Sequence, residues 1–250
     1  MKLTVVGCSG SYPTPGNPGS CYVIEQDGFR LVLDLGNGSL GPLQDVLDPE
    51  SGDGSFAVLL SHCHVDHCAD VAPLYVMRHY GPARQAVRLP LIGPSDVAAR
   101  ISAIYGMTDP ADLDLVFDVR SFEPGAMAVG PFTIQVARAV HPVEAYSIRV
   151  SAGGRSITYS GDTGPNAALA TLAAGTDIAL FEASFVGDAN PVDLHMTGAD
   201  AGRAATAADA GLLLLTHLVT WNDDDVVLRE ASAEFSGPIE RARPGMTITV

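Results

Sequence analysis

The apolar run Phe56-Ala57-Val58-Leu59-Leu60 ends at Ser61 and gives way at once to His62-Cys63-His64-Val65-Asp66-His67-Cys68. A short continuous apolar run reads as a buried strand. The three histidines and one aspartate within the next six positions are more metal-ligand chemistry than a folding core needs. At a strand end, side chains two positions apart point the same way, so His62 and His64 can grip one cation while Cys63 faces elsewhere. Asp66 and His67 come after a turn, ahead of a helix expected to begin near Cys68, and face the same cavity from another direction. Close sequence neighbours cannot all reach one tetrahedral shell, so a second ion is the economical reading. The alternative, a solvated histidine-rich turn, leaves this density of ligands without a purpose.

Around this stretch the chain alternates regularly. Strands are expected over Lys2–Val6, Ser20–Ile24 and Phe29–Asp34, the last two joined across Gln26-Asp27-Gly28. The segment Leu33-Asp34-Leu35-Gly36-Asn37-Gly38 carries two glycines where the backbone must approach something closely. Helices follow over Leu40–Val46, Ala69–Tyr80 and Ser95–Tyr105, with Ser95 as a candidate N-cap. Further strands fall near Arg88–Ile92, Leu115–Phe122 and Phe132–Ala139. The pattern then begins again, with strands Tyr146–Val150, Ser156–Ser160, Ile178–Glu182 and Leu212–Thr216 and helices Asn166–Ala173, Thr197–Ala210 and Asp223–Glu234. Met246–Val250 reads as a last strand. Hairpins leading into strand–helix alternation, done twice, predict an α/β fold. Its expected form is a four-layer helix–sheet–sheet–helix sandwich of two similar halves, about 1–124 and 125–250, in one domain.

A chain of 250 residues with 47% hydrophobic and only 17% charged residues has the material for such a core. The opening apolar run is too short for a signal peptide, and no segment approaches the length of a membrane helix, so a cytoplasmic location is expected. Cys8, Cys21, Cys63 and Cys68 have no zinc-ribbon spacing and read as reduced thiols, although a thiolate at Cys63 or Cys68 could in principle bind metal. The net charge of −15 opposes binding of long polyanions. Divalent ions would still leave the site locally positive, enough to attract a small anion.

The second half places single polar residues at the ends of apolar strands, where a cleft between two sheets collects them. His141 follows Phe132–Val140, Asp162 follows Ser156–Ser160 through Gly161, and His217 follows Leu212–Thr216. His62-x-His64-x-Asp66-His67, His141, Ser160-Gly161-Asp162-Thr163 and Thr216-His217 are together similar, in order, to the metal motifs of the metallo-β-lactamase superfamily. The resemblance implies one ion on His62, His64 and His141, a second on Asp66, His67 and His217, and Asp162 bridging the two. Zinc is the first expectation because imidazole dominates the ligand set, with manganese or iron as alternatives.

Within that superfamily the chain most resembles the ribonuclease Z-like phosphodiesterase branch. Gly7-Cys8-Ser9-Gly10-Ser11 with Pro13 is similar to its glycine-rich opening loop. Glu182-Ala183-Ser184-Phe185 and His195-Met196-Thr197 resemble its Glu-Ala-(Ser/Thr)-Phe and His-Ser-Thr elements. The resemblance makes Asp66 an orienting residue for the attacking water as well as a ligand, and His195, steered by Glu182, a general acid. An edge charge at Glu182 and a loop histidine at His195 are the plain alternatives. Members that process transfer RNA carry a long arm after the His141-equivalent motif, whereas here only Pro142–Gly161 separates His141 from Asp162. The expectation is therefore a small phosphodiester substrate, with a likeness to atypical class II bacterial cyclic-nucleotide phosphodiesterases, and no membrane or long nucleic-acid partner; a homodimer is compatible with it. Thioester, ester or lactone hydrolysis on the same ions, or 3′ RNA cleavage, are the competing readings.

Overall fold

The computed structural model describes residues 1–82, 87–187 and 194–250. Its first sheet opens as an antiparallel meander of β1 (Lys2–Gly7), β2 (Cys21–Gln26) and β3 (Phe29–Leu33). The β2–β3 connection is the two-residue turn Asp27-Gly28, both at positive φ (51° and 78°), a twist that suits a tight hairpin. After α1 (Leu40–Leu43), β4 (Phe56–Leu59) lies parallel to β3. The chain returns through α2 (Val65–Cys68) and α3 (Val71–Tyr80) to β5 (Leu89–Gly93), then through α4 (Val97–Tyr105) and a 3-10 turn over Pro110–Leu115 to β6 (Phe117–Ser121).

The second half repeats the plan. β7 (Ala126–Val129), β8 (Phe132–Arg138), β9 (Tyr146–Ala152) and β10 (Arg155–Tyr159) run antiparallel to one another. Parallel strands follow: α5 (Ala167–Leu172) leads to β11 (Ile178–Glu182), α6 (Gly198–Ala207) to β12 (Leu212–Thr216), and α7 (Asp224–Glu234) to β13 (Ile239–Arg241). The last strand, β14 (Thr247–Thr249), crosses back and pairs with β1. Among the described residues the sheets therefore read β14-β1-β2-β3-β4-β5-β6 and β13-β12-β11-β10-β9-β8-β7.

Three apolar layers separate the elements, which makes the architecture four-layered. Leu3, Tyr22, Leu31, Phe132, Ile148 and Leu180 meet between the sheets. Val32, Val58, Leu74 and Ile101 pack the first sheet on its helices, and Phe181, Ala205, Leu215 and Val227 do the same for the second. Each large side chain so buried contributes about 1.5–3 kcal/mol. No described helix is long and apolar enough to cross a membrane.

Several expectations shift. The halves are not closed at 124/125, because β14 completes the first sheet. β7 and β13 are short strands at the sheet edge with too few residues to show a period. The helix expected from Cys68 begins at Val65, so Asp66 and His67 sit inside one helical turn. At α4 the N-cap position is Asp96, and the Ser95 hydroxyl instead donates to the Glu144 carboxylate.

Candidate metal centre

The parallel strands of both sheets aim their C-terminal ends at one cleft, the place where open α/β sheets collect their ligands. β3 delivers Asp34, β4 delivers Ser61 and the histidine stretch, β10 delivers Asp162, β11 ends on Glu182, and β12 delivers His217. Just beyond β4 the Ser61 N–H leaves the sheet ladder and donates to Asp34 Oδ1 at 2.6 Å. His64 then takes an extended conformation (φ −73°, ψ 153°) as the residue before α2. α2 can lie this close only because residue 36 is glycine: a Cβ there would stand 2.0 Å from the Asp66 carbonyl oxygen. Gly161 turns the chain into Asp162 at φ 57°, where a Cβ would meet Ser61 and the Tyr146 carbonyl at 2.9 Å.

All seven residues expected as ligands converge. Donor atoms of His62, His64, His141 and Asp162 lie within 4.8 Å of one another, and so do those of Asp66, His67, Asp162 and His217. Asp162 belongs to both groups. His62 Nε2 and His64 Nδ1 are 3.0 Å apart, His141 Nε2 stands 3.1 Å from the same His64 Nδ1, and His67 Nε2 faces His217 Nε2 at 3.2 Å.

The outer ring nitrogens decide what the inner ones carry. His67 Nδ1 donates to Asp34 Oδ2 at 2.7 Å, and His141 Nδ1 donates to the Leu194 carbonyl at 3.0 Å. The Ser61 hydroxyl donates to Asp34 Oδ2 (2.8 Å) and so accepts from His62 Nδ1 (3.1 Å). The Ser184 hydroxyl donates to the His217 carbonyl (2.8 Å) and accepts from His217 Nδ1 (2.7 Å). Each of these rings, when neutral, thus presents an unprotonated Nε2 to the interior. Asp162 Oδ1, buried and without a hydrogen-bond donor, points at His67 Nε2 (3.2 Å) and His217 Nε2 (3.5 Å). So many lone pairs facing one another repel unless positive charge lies between them. The donor set therefore fits divalent cations, with oriented outer partners of the kind metal-binding histidines use.

The titration behaviour carries the same message. Burial pulls His62, His64 and His141 below the usual histidine value. Burial would do the same to His67, but Asp162, Asp66 and Asp34 outweigh it and hold the ring well above its usual value. Burial would raise the carboxyls of Asp66 and Asp162, but the histidines beside them hold both below the ordinary carboxylate range. Without a cation, a proton on His67 fills the same electrostatic need.

Glu182 and His195 stand next to this cluster. Glu182 is fully buried, and its Oε1 lies 2.9 Å from His195 Nδ1. Glu182, His195 and His217 also have donor atoms within 4.8 Å of one another. The Glu182 oxygens are already taken, however, by His195 and the N–H groups of Thr163 and Ser184, so this group is a hydrogen-bonded triad rather than a cation site. His195 Nε2 has no intramolecular partner among the described residues. Neither Cys63 nor Cys68 joins a ligand group among them; both pack on the apolar layer under the first sheet, and contact with Cys63 together with burial keeps the Cys68 thiol protonated.

Asp34 is the functional residue the sequence reading passed over. It accepts from Ser61, His67 and Tyr159 (2.8 Å), and its backbone takes φ 59°. The signal was present: a carboxylate at the end of an apolar strand, the same placement that exposed His217.

A family model described as Beta-lactamase superfamily domain matches residues 30–218. An uncharacterized protein of Mycobacterium leprae is 41% identical over 100% of this chain and 89% of its own length. The probable metallo-hydrolase YhfI of Bacillus subtilis is 30% identical over 98% of both chains. Its crystal structure superposes with a TM-score of 0.86 over 99% of each chain. Ribonuclease Z of Mycolicibacterium paratuberculosis is 28% identical over 96% of this chain and 95% of its own length.

Proposed function

This chain belongs to the β-lactamase superfamily as one of its hydrolases, and we propose that it is a phosphodiesterase that uses two divalent metal ions, zinc first, to hydrolyse small phosphodiesters such as cyclic nucleotides. His62, His64 and His141 would hold one ion, Asp66, His67 and His217 the other, and Asp162 would bridge them. The observation that carries this reading is Asp162 itself, shared by two ligand groups and left with an unpartnered buried oxygen. Two such cations supply water ionised at neutral pH and neutralise charge on the phosphodiester oxygens.

The rest of the work falls to side chains of this protein. Asp66, whose Oδ2 lies 3.0 Å from His217 Nε2, orients the attacking water through its carboxylate as well as binding metal. His195, held through Nδ1 by Glu182, gives the proton on Nε2 to the departing ribose oxygen. Glu182 keeps that ring protonated and fixed in direction.

The tight Gly153-Gly154 turn joins β9 directly to β10, so no arm rises from the segment between His141 and Asp162. With a net charge of −15, this supports a small substrate over long RNA. The site forms only between the two sheets, and β14 ties the halves together, which supports treating residues 1–250 as one working domain. The test is a panel of a 3′,5′-cyclic nucleotide, bis(p-nitrophenyl) phosphate, a precursor transfer RNA and an acyl thioester, alongside metal analysis of the purified protein. The cyclic nucleotide should be turned over fastest of the three natural-type substrates with two ions per chain. Preference for the thioester, or processing of the precursor at an equal or greater rate, would sink the proposal.

A further inference from the structure

Two of the large aromatic side chains left in solvent stand together beside this site. Tyr12 is 42% and Trp221 63% exposed, and their ring centroids lie 6.0 Å apart at an interplanar angle of 32°. Both stand on the loops that hold His217. Ser9 bridges Leu218 in parallel register, the Gly10 N–H donates to the Leu218 carbonyl at 3.1 Å, and the Ser11 N–H reaches His217 Nε2 at 3.4 Å. Tyr12 is therefore the next residue after an amide that touches a ligand ring, and Trp221 follows that ring by four positions on the facing loop. The Tyr12 and Thr220 hydroxyls, 2.6 Å apart, tie the two loops together.

An indole and a phenol left in water side by side lose hydrophobic free energy that a planar ligand would restore. Their anchorage lowers the entropy lost when such a ligand arrives. The chemistry they suit is stacking, which every nucleobase can accept through its π-face and which does not depend on the sign of the protein's charge. We propose that Tyr12 and Trp221 form a stacking platform for the base of a mononucleotide substrate, and are specificity-determining residues of the same cleft. This rests on the phosphodiesterase reading above, with the phosphodiester at the Asp162 cluster and the base turned toward the Tyr12 loop.

Trp221 is the sole tryptophan of the chain, so its fluorescence reports on the platform in the holoenzyme without turnover. Adenosine 5′-monophosphate should quench it saturably and ribose 5-phosphate should not; an equal response to both, or none to either, overturns the platform. In steady-state kinetics, Trp221→Ala should lower kcat/KM for a 3′,5′-cyclic nucleotide about ten- to hundredfold more than for the base-free ribose cyclic phosphate, mainly through KM. Tyr12→Phe keeps the ring and loses only the bond to Thr220, so it should retain the preference for the base that Tyr12→Ala loses. If the two Tyr12 variants fall equally on both substrates, Tyr12 is a loop pin and the platform fails. A wild-type protein inactive on every phosphodiester would refute the proposed function alone, because the quenching comparison still decides the platform.

Discussion

Glu182 Oε1 lies 2.9 Å from His195 Nδ1, and the same oxygen accepts the Thr163 N–H at 2.9 Å, one residue from Asp162. A single buried carboxylate thus fixes both the His195 ring and the loop that carries Asp162. Burial alone would push the His195 ring down, but Glu182 outweighs it and lifts the ring to about 9. The protonated form therefore persists through neutral pH and is lost as pH rises through that region.

If His195 is the general acid, its loss should hurt substrates unequally. A ribose oxygen leaves poorly unless protonated, whereas p-nitrophenolate leaves well as an anion. His195→Ala is expected to lose roughly 10²–10⁴ in kcat on a cyclic nucleotide, much less on bis(p-nitrophenyl) phosphate, and to keep its metal content. Equal losses with metal retained would assign the ring to phosphate binding, and loss of metal would make it a ligand.

The companion variant reads the pH profile. Glu182→Gln removes the charge that raises His195, so burial should dominate and the alkaline limb of kcat should move down by about 1–2 pH units. A limb that stays in place while kcat falls would show that another group sets it.

Asp34 should matter through the two rings it orients, His67 directly and His62 through the Ser61 hydroxyl. Asparagine tolerates the left-handed backbone at this position, but whichever way its amide turns, an NH2 group replaces an acceptor that takes either the Ser61 N–H at Oδ1 or the Ser61, His67 and Tyr159 side chains at Oδ2. Asp34→Asn is expected to weaken metal binding about 10–100-fold in a chelator competition titration. Unchanged affinity would reduce Asp34 to a folding residue.

Gly36 tests how closely the hairpin must meet the ligand-bearing turn. A methyl group 2.0 Å from the Asp66 carbonyl cannot be accommodated unless α2 or the 34–38 loop moves. Gly36→Ala should cost about 1–3 kcal/mol, seen as a lowered Tm, together with weakened metal binding. A variant with wild-type Tm and metal content would mean that the contact is easily relieved.

Local sequence was enough for what depends on neighbours along the chain. Period and breakers placed most strands and helices, Asp27-Gly28 marked the hairpin, and polar residues at the ends of apolar strands pointed to His62, His64, His141, Asp162 and His217. The shortest elements were placed unevenly: α1, β4 and β14 were found, but α2 was read as a turn and β7 and β13 were missed, because three or four residues carry little period. What only the tertiary structure decided is which distant segments meet. The bond from Tyr159 to Asp34 spans 125 positions, Ser184 meets His217 across 33, and β14 pairs with the first strand of the chain. Sequence pattern reports how often a side chain faces the interior. The partner it finds there is set by how two sheets pack face to face, and no local spacing carries that information.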